Sequence, residues 1–206
     1  MACGKRTLEV TRQLLGDFKQ RTEGRIPELF TSDELPNYPT VLLEIYGVLT
    51  PVERQGTVGR FPNPVLRPPP ELVYATVHKH REDGRVVKVD RCLIYGTERQ
   101  LKDALKASPL SSKVNTSYVE RYNGTARHRN SRQVRKTYAF SKDWELHEHQ
   151  SYLSMVGYNF CWTPRTLTEI APEGRRQRRS PAMAQGVTDH VWTVHELITH
   201  QIVLRR

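Results

Sequence analysis

Residues near the start of the chain recur at helical spacing. Leu8, Thr11, Leu14, Leu15 and Phe18 fall on one face of a helix predicted from Thr7 to Arg21, and Gly24 stops it. Glu28-Leu29-Phe30-Thr31 reads as a short strand, with Asp33 just past its end. Pro39 suits the first turn of a helix that runs to Tyr46 and stops at Gly47. The pattern then changes to alternation. Val73-Tyr74-Ala75-Thr76-Val77 has a period of two, so Glu71 to Arg81 and Arg85 to Val89 read as paired strands turning at Glu82-Asp83-Gly84. Thr97 is placed to cap a helix carrying Leu101, Ala104 and Leu105 that ends before Pro109. Asn115 or Thr116 opens the next helix, with Glu120 in its first turns and Gly124 as a weak point. A further helix is predicted from Asp143 to Tyr158, offering Trp144, Tyr152, Met155 and Val156 to a core. Val191, Trp192, Val194, Leu197 and Ile198 suit a short docking helix.

Between the predicted helix at 39–46 and the paired strands, Pro51, Pro62, Pro64, Pro68, Pro69 and Pro70 rule out continuous helix or central strand. Residues 51–70 therefore read as an extended linker across the surface. The organisation expected is one domain over 1–165, interrupted by this linker, and a basic extension with its docking helix over 166–206.

Composition narrows the class. The chain has 206 residues, 37% hydrophobic and 26% charged, which suits a folded domain. No apolar run reaches the roughly 18 residues of a membrane helix, and the first 19 residues lack a signal-peptide stretch. The reading is a cytoplasmic protein with no membrane role. Cys3, Cys92 and Cys161 stand apart and form no CxxC pair, so reduced, mostly buried thiols are expected. The net charge of +10 favours a polyanionic partner, because each cation placed on a phosphate releases a counterion. Many basic enzymes and RNA-binding proteins share that balance.

The charge is unevenly distributed. Arg121, Arg127, Arg129, Arg132, Arg135, Lys136 and Lys142 lie in a 22-residue stretch without one acid. Tyr122 and Tyr138 stand among them, and cations interleaved with rings suit phosphate contact and base stacking. A solvated basic face is the alternative. A second basic run, Arg175-Arg176-Gln177-Arg178-Arg179, is assigned to a loop. Two carboxylates stand out by position: Asp33 beyond a strand, and Glu120 at the head of a helix entering the basic stretch. If the fold united them they could share a divalent metal, as hard oxygen ligands do in phosphoryl transfer. Otherwise Asp33 caps a turn and Glu120 is a solvated helix residue. Arg127 follows Glu120 by two helical turns, where a cation could hold a phosphate or simply face water. His78 and His80 alternate to one side of a strand and His147 and His149 diverge on a helix; neither pair has a third ligand at zinc spacing. No Walker, dinucleotide or nucleophile-elbow pattern occurs.

Several of these segments resemble one known group. Leu29-Phe30-Thr31-Ser32-Asp33-Glu34-Leu35-Pro36-Asn37-Tyr38 is similar to the strand that carries the second catalytic aspartate of DDE transposases of the insertion-sequence-one type. Val114-Asn115-Thr116-Ser117-Tyr118-Val119-Glu120-Arg121-Tyr122-Asn123-Gly124-Thr125 resembles the helix with their catalytic glutamate. The run 135–145, Tyr158-Asn159-Phe160-Cys161-Trp162 and Ser180-Pro181-Ala182-Met183-Ala184 resemble their C-terminal tail.

The resemblance implies an α/β, ribonuclease-H-like fold, a mixed sheet flanked by helices, acting in DNA transposition on insertion-sequence ends. It implies Asp33 and Glu120 as catalytic and metal-binding acids with Mg²⁺ or Mn²⁺. It further implies Arg121, Arg127, Arg129, Arg132, Arg135 and Lys136 on double-stranded DNA, and a prokaryotic, nucleoid-associated location. The family's first aspartate has no counterpart here. Only 32 residues precede Asp33, and Asp17 among them falls on the first predicted helix. Gly4-Lys5-Arg6-Thr7 resembles the point just after the family's third strand. The expectation is therefore a sheet lacking its first strands, an incomplete triad, and no N-terminal DNA-binding module. Such a chain would act with a complementing transposase fragment or as a homo-oligomer. The alternative is a catalytically inactive DNA-binding fragment that regulates an intact transposase.

Overall fold

A computed structural model describes residues 6–53, 61–108, 111–171 and 173–200. Cys3, the Gly4-Lys5 start, the middle of the predicted linker and Pro109 lie outside the described residues. The chain divides into two compact units, 1–120 and 121–206.

The first unit is built around one short mixed sheet. Helix α1 (Leu8–Arg21) begins where Thr7 Oγ1 accepts from the Val10 amide, with Leu15 and Thr11 buried. Leu14, expected on the same face, lies outside the core. The helix ends in a paired turn. Gly24 N–H reaches the Lys19 carbonyl at 2.8 Å and Glu23 N–H the Gln20 carbonyl at 3.1 Å, with both residues left-handed at φ 80° and 54°. Strand β1 (Phe30–Ser32) starts two residues later than expected. It pairs in parallel with β4 (Tyr74–Glu82), with Phe30 opposite Tyr74 and Ser32 opposite Thr76. Parallel pairing requires a crossover, and α2 (Asn37–Tyr46) supplies its helix.

β4 pairs antiparallel with β5 (Arg85–Tyr95), which continues six residues beyond the expected end. Their two-residue turn is Asp83-Gly84, both at positive φ (47° and 76°), as a tight hairpin matched to strand twist requires. The sheet order is β1-β4-β5. Both register shifts add their extra residue to β5, at Val87 and Ile94. β5 lies at the sheet edge, where bulges and charges discourage further pairing.

Strand alternation sends the two faces of β4 into separate clusters. On one face Tyr74 joins Leu15, Val41, Leu42, Tyr46 and Leu72 beneath α1 and α2. On the other, Ala75 and Val77 join Val114, with Leu29, Leu93, Leu101 and Leu105 packed around them. Leu101 and Leu105 belong to α3 (Glu98–Ala107), whose Thr97–Gln100 capping box closes its N-terminus in both directions. The result is a mixed α/β unit, a small sheet with helices on both faces. The proline-rich stretch is more ordered than its composition suggests. Val48–Thr50 (β2) pairs antiparallel with Val65–Arg67 (β3), tying the base of the excursion. The prolines flank β3 instead of interrupting it, and a two-stranded ribbon leaves one edge unpaired in any case.

The second unit contains most of α4 (Ser117–Arg129) and the long α5 (Trp144–Cys161), capped by Asp143 Oδ1 on the Leu146 amide at 2.8 Å. Gly124 does not interrupt α4. Trp144, expected in the core, is exposed, whereas Tyr152, Met155 and Val156 are half-buried. Its place at the first position of α5 keeps its ring at the rim. A two-residue hairpin, β6 (Glu169–Ile170) and β7 (Arg176–Gln177), takes up part of the second basic run, so that run is not all loop. Arg179 is held at Glu169, 2.9 Å away. Ser180 caps the four-residue α6 (Pro181–Ala184), and α7 (Val194–Thr199) carries its own capping box from Thr193 and Glu196. Trp192, just before α7, packs on Phe160 of α5, ring centroids 4.6 Å apart; Val194 and Ile198, also expected to dock, are exposed.

Leu42 is almost wholly enclosed in the larger cluster. Leu42→Ala is expected to cost about 2–5 kcal/mol of the first unit's stability. Val119→Ala, at an exposed position, should cost less than about 0.5 kcal/mol in the same urea titration.

Candidate functional site

Asp33 is exposed and follows β1 directly. Ser32 Oγ donates to the Asp33 carbonyl at 2.6 Å and lies 2.7 Å from the Tyr74 hydroxyl. A serine hydroxyl has one proton, so Tyr74 is the donor to Ser32. Burial raises the Tyr38 and Tyr74 hydroxyl pKa values, and the Asp33 charge adds to the rise at both. Both tyrosines are thus within range of the Asp33 charge, and Tyr74 lies on the α1 and α2 side of β4. Glu34, the next residue, pairs with His78 on that same side. His80 Nε2 meets Asp90 Oδ2 at 2.7 Å, and the two imidazoles pack edge to face at 4.2 Å. The two histidines do share one side of the strand, and each has a carboxylate partner.

Glu120 sits on the opposite side. The segment before α4 is fixed to the sheet by Arg91 Nε, which donates to the Val114 carbonyl at 2.8 Å. Asn115 then shapes the helix start. Its Oδ1 accepts from the Ser117 amide at 3.1 Å, while its Nδ2 donates to Ser111 Oγ and the Lys113 carbonyl. Of the two candidate caps, Asn115 and Thr116, it is Asn115 that makes the side-chain bond to the helix. Thr116 Oγ1 donates instead to Glu120 Oε1 at 2.9 Å, and Lys79 Nζ donates to the same oxygen at 2.5 Å. Lys79 projects from the Ala75 and Val77 face of β4. The Lys79 bond, then the Thr116 bond, hold the Glu120 carboxyl below the ordinary glutamate range, with the Arg81 charge assisting.

Asp33 and Glu120 offer hard oxygen donors, the right chemistry for Mg²⁺ or Mn²⁺. Glu120 Oε1 is already shared by two donors, Lys79 Nζ and Thr116 Oγ1. Among the described residues no group of three or more His, Cys, Asp or Glu side chains is arranged to hold a metal ion.

The basic residues divide by what they touch. Arg129 is half-buried, with its guanidinium 4.1 Å from the Trp162 ring centroid and 5.5 Å from that of Tyr158. This cation–π clamp ties the end of α4 to α5, and Tyr122 adds an edge contact to Tyr158 at 6.1 Å. Arg132 donates weakly to Ser141 Oγ at 3.5 Å. Arg121, Arg132, Arg135 and Lys136 are exposed and Arg127 is half-buried. Among the described residues the ion pairs of this unit involve Arg179, His190, Glu169, Asp189 and Glu196 and none of those five cations. Cys92 is exposed, contrary to the expectation of buried thiols, and Cys161 is half-buried. No described helix is long and apolar enough to cross a membrane.

Sequence reasoning missed Lys79, Tyr158 and Trp162 as partners. Lys79 carried one signal, a cation at an alternating position after the apolar Ala75 and Val77. Tyr158 and Trp162 are four apart, the spacing of neighbours on one helix face.

Folding lowers the Glu120 pKa, so its ion pair contributes fully above the ordinary glutamate range. That contribution is lost as pH falls through the lowered value. Lys79→Met is expected to move the Glu120 titration, followed by carboxyl-carbon NMR, back toward the ordinary range. The carboxylate is half exposed, so the stability change should stay below about 1 kcal/mol. Comparison of this chain with protein-family models, with curated proteins and with solved structures finds no match.

Proposed function

We propose that this chain acts in DNA transposition, as a transposase-type polypeptide that handles insertion-sequence DNA ends. The observation that carries this reading is the division of charge along the chain. The run with the family-like glutamate leads directly into a stretch of seven cations and no acid. Most of those cations are exposed and have no ion-pair partner among the described residues, which leaves them open to phosphate. The mixed sheet with helices on both faces, and an acid just past its parallel strand, are compatible with a ribonuclease-H-like assignment. In this reading Arg121, Arg127, Arg132, Arg135 and Lys136 contact the duplex backbone, and Arg129 braces the helices that present them. Asp33 and Glu120 are the acids of the phosphoryl-transfer site. Mg²⁺ or Mn²⁺, when bound, would polarise the phosphodiester and activate the attacking oxygen.

One observation favours a second reading, DNA binding without cleavage. Lys79 and Thr116 both donate to one oxygen of the Glu120 carboxylate. A chain in this arrangement would bind transposon ends and regulate, or be completed by, another transposase polypeptide.

The two readings part in a strand-cleavage assay on a labelled duplex with Mg²⁺ or Mn²⁺, using the chain, Glu120→Gln and Asp33→Asn. Metal-dependent nicking that falls at least about 100-fold in both variants is the outcome for an active enzyme. Binding with no nicking by any of the three is the outcome for a regulator. Absence of DNA binding at about 50 mM salt, where phosphate contacts are strongest, contradicts both.

A further inference from the structure

Three large rings within seven residues of the second unit face water. Tyr138 is fully exposed, and Phe140 and Trp144 are more than half exposed. Isolated exposed apolar side chains are ordinary, but rings grouped in this way mark a contact surface. Their surroundings indicate the partner. Arg135 and Lys136 precede Tyr138, and Lys142 stands between Phe140 and Trp144, all three cations exposed. The segment that presents Tyr138 and Phe140 is shaped locally. Lys136 adopts a left-handed φ of 56°, and Thr137 Oγ1 accepts from the Ala139 amide at 3.0 Å.

Among the described residues Trp144 has one ring neighbour. Its indole stacks on His147, centroids 5.4 Å apart and planes 23° from parallel. His147 is itself oriented by Ser141, whose Oγ lies 2.9 Å from Nδ1. The indole is thus held with more than half of its surface in water, ready to take a second planar group. Of the two acids that flank Trp144, Asp143 is engaged in capping α5 through the Leu146 amide, and Glu145 is exposed in the first turn of the helix.

We propose that Tyr138, Phe140 and Trp144 form a base-stacking platform for single-stranded DNA, with Arg135, Lys136 and Lys142 on its phosphates. Flat rings accept any unpaired base, and the flanking cations follow the backbone. A base-paired duplex keeps its bases stacked on one another and offers these rings nothing comparable. The inference rests on the DNA-handling function proposed above and assigns unpaired strand to this surface of the second unit.

The test measures binding of the full chain to fluorescent dT20 and to a 20-base-pair duplex by anisotropy. It uses the chain, Trp144→Ala, Tyr138→Ala/Phe140→Ala and Trp144→Phe, with circular dichroism to establish that each variant is folded. The expected result is a loss of about 10-fold or more in dT20 affinity for each alanine variant, corresponding to one stacked base. Duplex affinity should stay within about twofold, and Trp144→Phe should recover most of the loss. Alanine variants that bind dT20 as tightly as the parent chain, or that lose duplex and dT20 affinity equally, overturn the platform while leaving DNA binding intact. A parent chain that binds neither DNA overturns the platform together with the function it rests on. Tighter binding to rU20 than to dT20 overturns the assignment to DNA.

Discussion

The first unit depends on one constraint: β4 is buried on both faces from Tyr74 to Val77. A central strand of this kind contributes alternate side chains to two cores at once. Tyr74 is committed to the cluster beneath α1 and α2, and Ala75 and Val77 to the cluster with Val114. A slip of one residue would exchange these sets and place the tyrosine among the smaller groups of the other face. The Asp83-Gly84 turn fixes the register from one end and the parallel pairing with β1 from the other. Residues later in the chain inherit this geometry. Lys79 lies on the second face because Val77 does, and Glu120 meets Lys79 because Arg91 holds the preceding segment to that same face.

That inheritance explains the state of Glu120, which is bound on the second face. Lys79 neutralises Glu120 at the point where the chain passes into its most basic stretch. A lysine bonded to a carboxylate at 2.5 Å competes with any cation offered to that oxygen. The second unit uses its charge differently. Arg129 is engaged by Trp162 and Tyr158 as a structural brace, which leaves its neighbours as the cations available to a polyanion.

Much of the fold was legible in the sequence wherever a local signal was strong. Thr97 caps the helix its position announced, the helices expected from Thr7 and Asp143 begin one residue later with those residues as caps, and alternation with Asp-Gly marked the β4–β5 hairpin. β1 was displaced by two residues because a three-residue strand has too few positions to set a period. β2 and β3 were hidden because their pairing spans a proline-rich excursion and only three residues on each side take part. Trp144 was assigned to the core on its apolar character, which does not distinguish a packed ring from a presented one. The partners of Glu120 and Arg129 were the least legible. Lys79 lies 41 residues from Glu120, and no local pattern specifies so distant a pairing. Glu120 could be selected by position and resemblance, but its partner on the sheet depends on the register of β4.

The central claim is that the acid-free stretch of the second unit holds the DNA backbone. The most direct measurement is the salt dependence of duplex affinity for the chain and for Arg132→Gln/Arg135→Gln/Lys136→Gln. The account predicts that log affinity falls linearly with log salt. The triple variant should lower the steepness by about 2–3, because each phosphate that is no longer neutralised removes about 0.9 from the slope. An unchanged slope in the triple variant would contradict it.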